Sequence, residues 1–144
     1  ADDLGASDIL RSWDQPLALS VGLAWQDSRL ALSALAGWHR GWPRSPVELI
    51  APGGGDPGEI VLGRRNSARW RDFYSLDLRG SYTWPMTRGD LVLVLEATNV
   101  TDRANECCLR LQADDSGNFF QGEIDHWLPA VANLGVSWRW RGPH

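Results

Sequence analysis

No run in these 144 residues approaches the roughly 18 uninterrupted apolar positions that a membrane-crossing helix needs, which excludes a helical membrane protein. Transmembrane β-strands escape that test, because they are only about 9–11 residues long and alternate in polarity. Basic charge is in short supply: 14 basic residues stand against 18 acidic ones, for a net charge of −4. Duplex-binding proteins usually carry a basic stripe, so no nucleic-acid partner is expected. Cysteine is confined to the adjacent pair Cys107 and Cys108, which gives neither metal-ligand spacing nor a disulfide framework. A vicinal disulfide and two free thiols both remain open for that pair. The first residues, "ADDLGASD", hold no initiator Met, basic n-region or apolar h-region, so any export signal is expected to have been removed or to lie upstream. Phenylalanine and tyrosine are scarce, at three and two, against nine tryptophans. Tryptophan is the side chain that most favours a boundary between apolar and polar surroundings.

What is present is alternation with the period of a strand. In "PLALSVGLAWQ" Leu17, Leu19, Val21, Leu23 and Trp25 share one face. After a short turn, Leu30, Leu32, Ala34, Ala36 and Trp38 repeat the pattern, which predicts an antiparallel hairpin. "YSLDLRGSYTW" sets Tyr74, Leu76, Leu78, Gly80, Tyr82 and Trp84 against Ser75, Asp77, Arg79, Ser81 and Thr83. In "DLVLVLEATNV", Leu91, Leu93, Leu95 and Ala97 oppose Val92, Val94, Glu96 and Thr98. "NLGVSWRW" closes the set, with Leu134, Val136, Trp138 and Trp140 on one side. The pattern predicts five strands, at about 16–26, 29–42, 73–84, 90–100 and 131–140. Two long loops separate them: one from Pro43 to about Arg71 holding "PGGGDPG", and one from about Thr101 to Leu128.

Loop lengths alternate short, long, short, long, so an antiparallel meander puts both tight turns at one end. Trp25, Trp84, Trp138 and Trp140 then fall at that end, and Trp38, Trp42 and Tyr74 at the other, with Trp127 a further candidate. Two aromatic belts flanking Leu, Val and Ala are the arrangement of an outer-membrane barrel. The opposite faces, with Asp77, Arg79 and Glu96 among small polar residues, suit a wet lumen and would be costly in a dry core. The alternative is a soluble or secreted β-sandwich binding module, which must bury most of the tryptophans and leave those charges in solvent.

Certain motifs are more specific. "RNSARWRDFYSLDLRGSYTWPMTRGDLVLVLEATNVTDRANECC" and "WLPAVANLGVSWRW", with "GWHRGWP" before them, resemble the C-terminal part of the β-barrel of TonB-dependent outer-membrane receptors. The resemblance runs from about Arg11 to Trp140 and is most specific in "FYSLDLR", in Glu96 to Asn99 with "VTDR" after it, and in the closing strand. There Asn133, Gly135, Trp138 and Trp140 resemble the signal read by the barrel-assembly machinery, although "RGPH" follows the last aromatic. The resemblance implies an all-β fold, an antiparallel meander of five transmembrane strands forming the C-terminal section of a 22-stranded barrel. As a fragment this would be an open curved sheet, since five strands cannot close. It implies a bacterial outer-membrane location and active uptake of a scarce ligand of the iron-siderophore, cobalamin or glycan class. Its partners would be outer-membrane lipid and lipopolysaccharide, the assembly machinery, and TonB through a plug domain that this sequence does not contain.

Other chemistry finds little support. His39 and His126 have no second ligand spaced to hold a metal, and solvated loop-end histidines are the commoner case. The acidic stretch "QADDSGNFFQGEIDH" lacks the ligand order of a calcium loop and reads as an external loop able to join divalent-bridged lipopolysaccharide contacts. "NVT" matches a glycosylation sequon but sits at a strand end. Asp77 and Arg79 are expected to pair with lumen neighbours. No nucleophile, base and orienting group converge by spacing, and no loop cradles a phosphate, so neither an enzyme nor a cofactor is expected.

Overall fold

The computed structural model describes residues 10–50, 59–113 and 120–141; "PGGGDPG" and the end of the "RGPH" tail lie outside them. The described regular structure is all β, in antiparallel pairings, with no helix. Among the described residues, eleven strands fall into two compact units.

One unit is a five-stranded sheet of β1 (Ala18–Gln26), β2 (Leu30–His39), β7 (Phe73–Met86), β8 (Gly89–Thr98) and β11 (Val131–Trp140), in that spatial order. Order along the sheet therefore follows order along the chain, as in a meander. The observed strands lie within a few residues of those read from alternation. The main difference is at the end of β2, expected at Trp42 but found at His39. The chain turns there because Gly41 passes against the Trp70 carbonyl, so closely that a Cβ would collide with it, while its N–H donates to Asp72 Oδ1 at 3.0 Å.

Register fixes the faces. The Asp27 N–H donates to the Leu30 carbonyl and the Arg40 N–H to the Leu17 carbonyl, which sets β1 against β2. The Thr83 N–H donates to the Arg29 carbonyl, and Gly37 and Gly80 stand against Ser75 and Leu32, which sets β2 against β7. Leu78 pairs with Ala97 across β7 and β8, and Val136 with Leu93 across β8 and β11. Because strand side chains alternate, these pairings put Leu19, Leu32, Leu78, Leu93 and Val136 on a single face.

Tight turns join β1 to β2 and β7 to β8. In the first, Asp27 Oδ1 accepts the Arg29 and Leu30 N–H groups at 2.6 and 2.8 Å, an Asx-type closure that local sequence supplies by itself. Those same bonds, the Arg29 one foremost, hold the Asp27 carboxyl below its ordinary range. In the second turn Gly89 meets β11 so closely that a Cβ would strike the Arg139 carbonyl and come within 3.0 Å of the Trp138 ring.

The other unit corrects the reading of the two long segments as loops. It contains β3 (Pro43–Arg44) on β6 (Ala68–Arg69), β4 (Val47–Ile50) on β5 (Glu59–Leu62), and β9 (Glu106–Ala113) on β10 (Phe120–His126). "VELI", "EIVL" and "ECCLRLQA" are short strand-competent runs, and their Gly, Asp and Ser neighbours hid them among loop signals. Asn66 organises this unit: its N–H donates to Ser45 Oγ at 3.0 Å and its Nδ2 to the Leu10 carbonyl at 2.5 Å, in a left-handed conformation that asparagine tolerates. Arg69 adds bonds to the Asp14 and Gly41 carbonyls and an ion pair to Asp14 at 2.6 Å.

Candidate functional site

The five-stranded sheet presents two faces of opposite character. One carries Leu, Val, Ala, Gly, Met, Trp and Tyr on all five strands and no charged residue within them. It is exposed: Leu23 by 73%, Leu134 by 69% and Val136 by 65%. Among the described residues Val92 is the one buried hydrophobic side chain, and it lies on the other face. A water-facing sheet would ordinarily reverse this, since apolar surface costs about 25 cal/mol for each Å² left in water.

Aromatic side chains stand at both ends of the apolar face. At the tight-turn end Trp84 pairs with Leu91, Leu91 with Trp138, and Trp140 with Gly89. The Trp138 and Trp140 rings meet edge-on at 5.7 Å, and Tyr82 meets Trp84 in the same way at 4.6 Å. Trp25 is on this face at the end of β1. At the far end Trp38 lies against Tyr74, ring centroids 6.4 Å apart, and the Arg103 guanidinium covers the Tyr74 ring at 4.4 Å. Between the ends the face is aliphatic. Trp42, read from sequence with the far belt, is instead stacked on His39 and edge-on to Trp127 in the other unit.

The polar face holds the charges. Arg79 and Glu96 are direct cross-strand partners, Nη1 to Oε1 at 2.9 Å. Among the described residues Asp77 does not pair with a charge; its Oδ1 accepts the Asn99 backbone N–H at 2.9 Å. Asp90 and Arg141 pair at 2.5 Å.

Asn99 was read from sequence as the end of a strand motif and the start of a sequon match, and the structure makes it a junction. It is 7% exposed and left-handed, at φ 48°. Its Nδ2 donates to the Arg103 and Leu128 carbonyls at 3.0 and 3.1 Å, and its Oδ1 accepts the Arg103 N–H at 3.2 Å. Asp102, also left-handed, accepts the Ala130 N–H at 2.9 Å. Together they tie the end of β8 to the approach to β11. Both donors of the buried Nδ2 are thus used within the fold. A β-propensity reading could not have found this, because the signal is a polar residue that caps a turn through its own side chain.

His39 is half-buried at the end of β2. Its ring lies flat against Phe73, 7° from parallel at 4.7 Å, and 5.1 Å from Trp42. His126 pairs with Glu106 beyond a bulge that leaves Cys107 as the extra residue of β9. Cys107 and Cys108 form a vicinal disulfide. No metal-holding group of His, Cys, Asp or Glu occurs among the described residues.

In the closing strand Asn133 opposes Glu96, Gly135 opposes Val94, Trp138 opposes Leu91 and Trp140 opposes Gly89. A Cβ built on Gly135 would meet Val94 only at 3.7 Å, so packing within this sheet does not demand glycine there. The Trp138 Nε1 is buried without a hydrogen-bond partner among the described residues. β1 and β11 are the edges of the sheet, each paired on one side only among the described residues. No protein-family model matches this chain, and comparison with curated proteins and with solved structures gives no match.

Proposed function

We propose that this chain is the C-terminal section of the 22-stranded barrel of a TonB-dependent outer-membrane receptor, a transporter for active uptake of a scarce ligand of the iron-siderophore, cobalamin or glycan class. The observation that carries the reading is the uncharged, exposed apolar face running across five strands, with aromatic side chains at both ends and charge pairs on its reverse. Such a face suits hydrocarbon, and its aromatic ends suit the two interfaces. Strands of 9 to 14 residues are long enough to cross when tilted. Further barrel strands would satisfy the free edges of β1 and β11, which hydrocarbon would not.

In this reading Asp77, Arg79 and Glu96 face the lumen, and Asn133, Gly135, Trp138 and Trp140 are the signal for the assembly machinery. The hairpin of β9 and β10 belongs to the cell exterior, beside lipopolysaccharide. TonB would act through a plug supplied by sequence upstream. The test is fractionation of cells making the protein with its upstream sequence. Recovery in outer membranes as a species whose gel mobility changes on heating supports the reading. A monomer that stays soluble without detergent contradicts it and favours a β-sandwich.

A further inference from the structure

Both cysteines of the chain lie at an irregular step in the β9–β10 hairpin. Asp125 pairs with Cys108 and His126 with Glu106, so Cys107 has no partner in β10. The extra residue keeps like with like. Beyond it Leu109 faces Ile124 and Arg110 faces Glu123. Continued without a bulge from the same Glu106–His126 pair, the ladder would set Leu109 against Glu123, because a one-residue slip exchanges the faces.

The disulfide joins the two residues of that step. Cys108 is exposed and Cys107 half-buried, so a reagent from solvent meets the Cys108 sulfur first. Arg110 shares a face of β9 with Cys108, and Glu123 and Asp125 stand opposite them on β10. Arg110 Nη2 pairs with Asp125 Oδ2 at 2.9 Å, while the exposed Glu123 makes no salt bridge among the described residues. Two carboxylates against one guanidinium leave the approach to Cys108 net negative. Directly before the step, Glu106 has a side chain only 14% exposed. Its Oε2 accepts the Arg71 N–H at 3.2 Å and its Oε1 lies 3.1 Å from Arg71 Nε. Across from Cys107, on the far side of the same step, the Trp127 N–H donates to the Asn105 carbonyl at 2.8 Å.

We propose that Cys107–Cys108 is a thiol–disulfide exchange site selective for thiols that carry a cation, and that its reduction loosens the grip of Glu106 on Arg71. The inference stands on the hairpin alone and does not depend on what covers the five-stranded sheet. The attacking species is a thiolate. It bonds to Cys108 Sγ, the bond between the two cysteine sulfurs breaks, and Cys107 leaves as a thiolate that takes a proton from water. A second thiol then attacks the mixed disulfide and releases Cys108, so two small thiols are oxidised to their disulfide while the cysteine pair is reduced. A thiolate with an ammonium group arrives with no net charge, whereas one with a sulfonate arrives doubly negative and is repelled. Once reduced, Cys107 and Cys108 turn independently, and the backbone that presents Glu106 loses its brace.

The test uses the protein with its upstream sequence, purified without reductant, and two probes, cysteamine and 2-mercaptoethanesulfonate. Each reaction is quenched with maleimide and mapped by mass spectrometry, and each rate is divided by the same thiol's rate on a disulfide-closed peptide of residues 105–110. The first adduct should be a mixed disulfide on Cys108 with maleimide on Cys107. Cysteamine should be favoured several-fold at low salt, and the gap should close at high salt. Glu123→Gln should narrow it at low salt. Hydrogen exchange at the Arg71 and Trp127 amides should quicken several-fold on reduction, and equally in the double variant Cys107→Ser, Cys108→Ser without any reductant. Maleimide on both cysteines before a thiol is added, first attack at Cys107, or equal normalised rates for the two probes would overturn the exchange site. Amide exchange unchanged both by reduction and in the double variant would overturn the link to Arg71.

Discussion

Arg79 and Glu96 face each other across β7 and β8 at 2.9 Å, while their chain neighbours Leu78, Gly80, Leu95 and Ala97 all stand on the reverse face. One rung of the ladder thus separates a charge pair from an aliphatic surface. Both side chains are more than a third exposed, at 61% and 41%, so solvent screens the pair. A double-mutant cycle with Arg79→Ala and Glu96→Ala should give a coupling of about 0.2–1 kcal/mol. Raising the salt should shrink it. A coupling of zero at low salt would mean the register places these residues together without an energetic link.

Leu78 tests the other side of the same strand. On the proposed barrel reading, Leu78→Arg should destabilise the protein in lipid by about 2–4 kcal/mol, the scale for a basic residue at the bilayer midplane, while Ser81→Arg on the polar face should cost much less. The order of the two is the prediction, and an unfolding titration in lipid measures it. Equal costs would remove the distinction between the faces.

At the junction of β8 and β11, Asn99→Gly keeps the left-handed backbone accessible but deletes the side-chain bonds to Arg103 and Leu128. It should cost about 1–3 kcal/mol. Asn99→Ala adds the penalty of a Cβ in that conformation, about 1–2 kcal/mol more. Denaturant unfolding of the pair checks the ordering. If alanine and glycine were equivalent there, the backbone conformation would not be the constraint it is taken to be.

For the closing strand, Trp140→Ala should lower the amount of heat-modifiable barrel in outer membranes more than Trp25→Ala, although both rings lie at the tight-turn end. Gly135→Ala sharpens the point, because the folded sheet has room for that methyl group. Reduced assembly with unchanged stability of the protein that does assemble would assign Gly135 to recognition. Equal losses from Trp25→Ala and Trp140→Ala would make β11 simply another strand of the belt. Deleting Arg141 to His144 should change little.

Much of the sheet was legible because alternation is a strong signal when one face is wholly apolar. Leu76, Leu78, Tyr82 and Trp84 could be placed without knowing any partner strand, and the loop lengths then supplied the order. What escaped notice depends on partners. The hairpin of β9 and β10 mixes acids with apolar residues and carries a bulge at Cys107, which breaks the period that would have revealed it. His39 looked like a surface residue because its stacking on Phe73 follows from the β2–β7 register. Asn99 carried only a turn signal, since its partners at Asp77 and Leu128 lie 22 and 29 residues away.

The most direct measurement of the central claim is a nitroxide scan along β7, one label at a time from Ser75 to Thr83, in outer-membrane vesicles. Collisions with oxygen report hydrocarbon, and collisions with a water-soluble nickel complex report an aqueous lumen. The account predicts strict alternation, with oxygen dominant at positions 76, 78, 80 and 82 and nickel dominant at 75, 77, 79, 81 and 83. Loss of the alternation, or its reversal, would contradict a lipid-facing apolar surface.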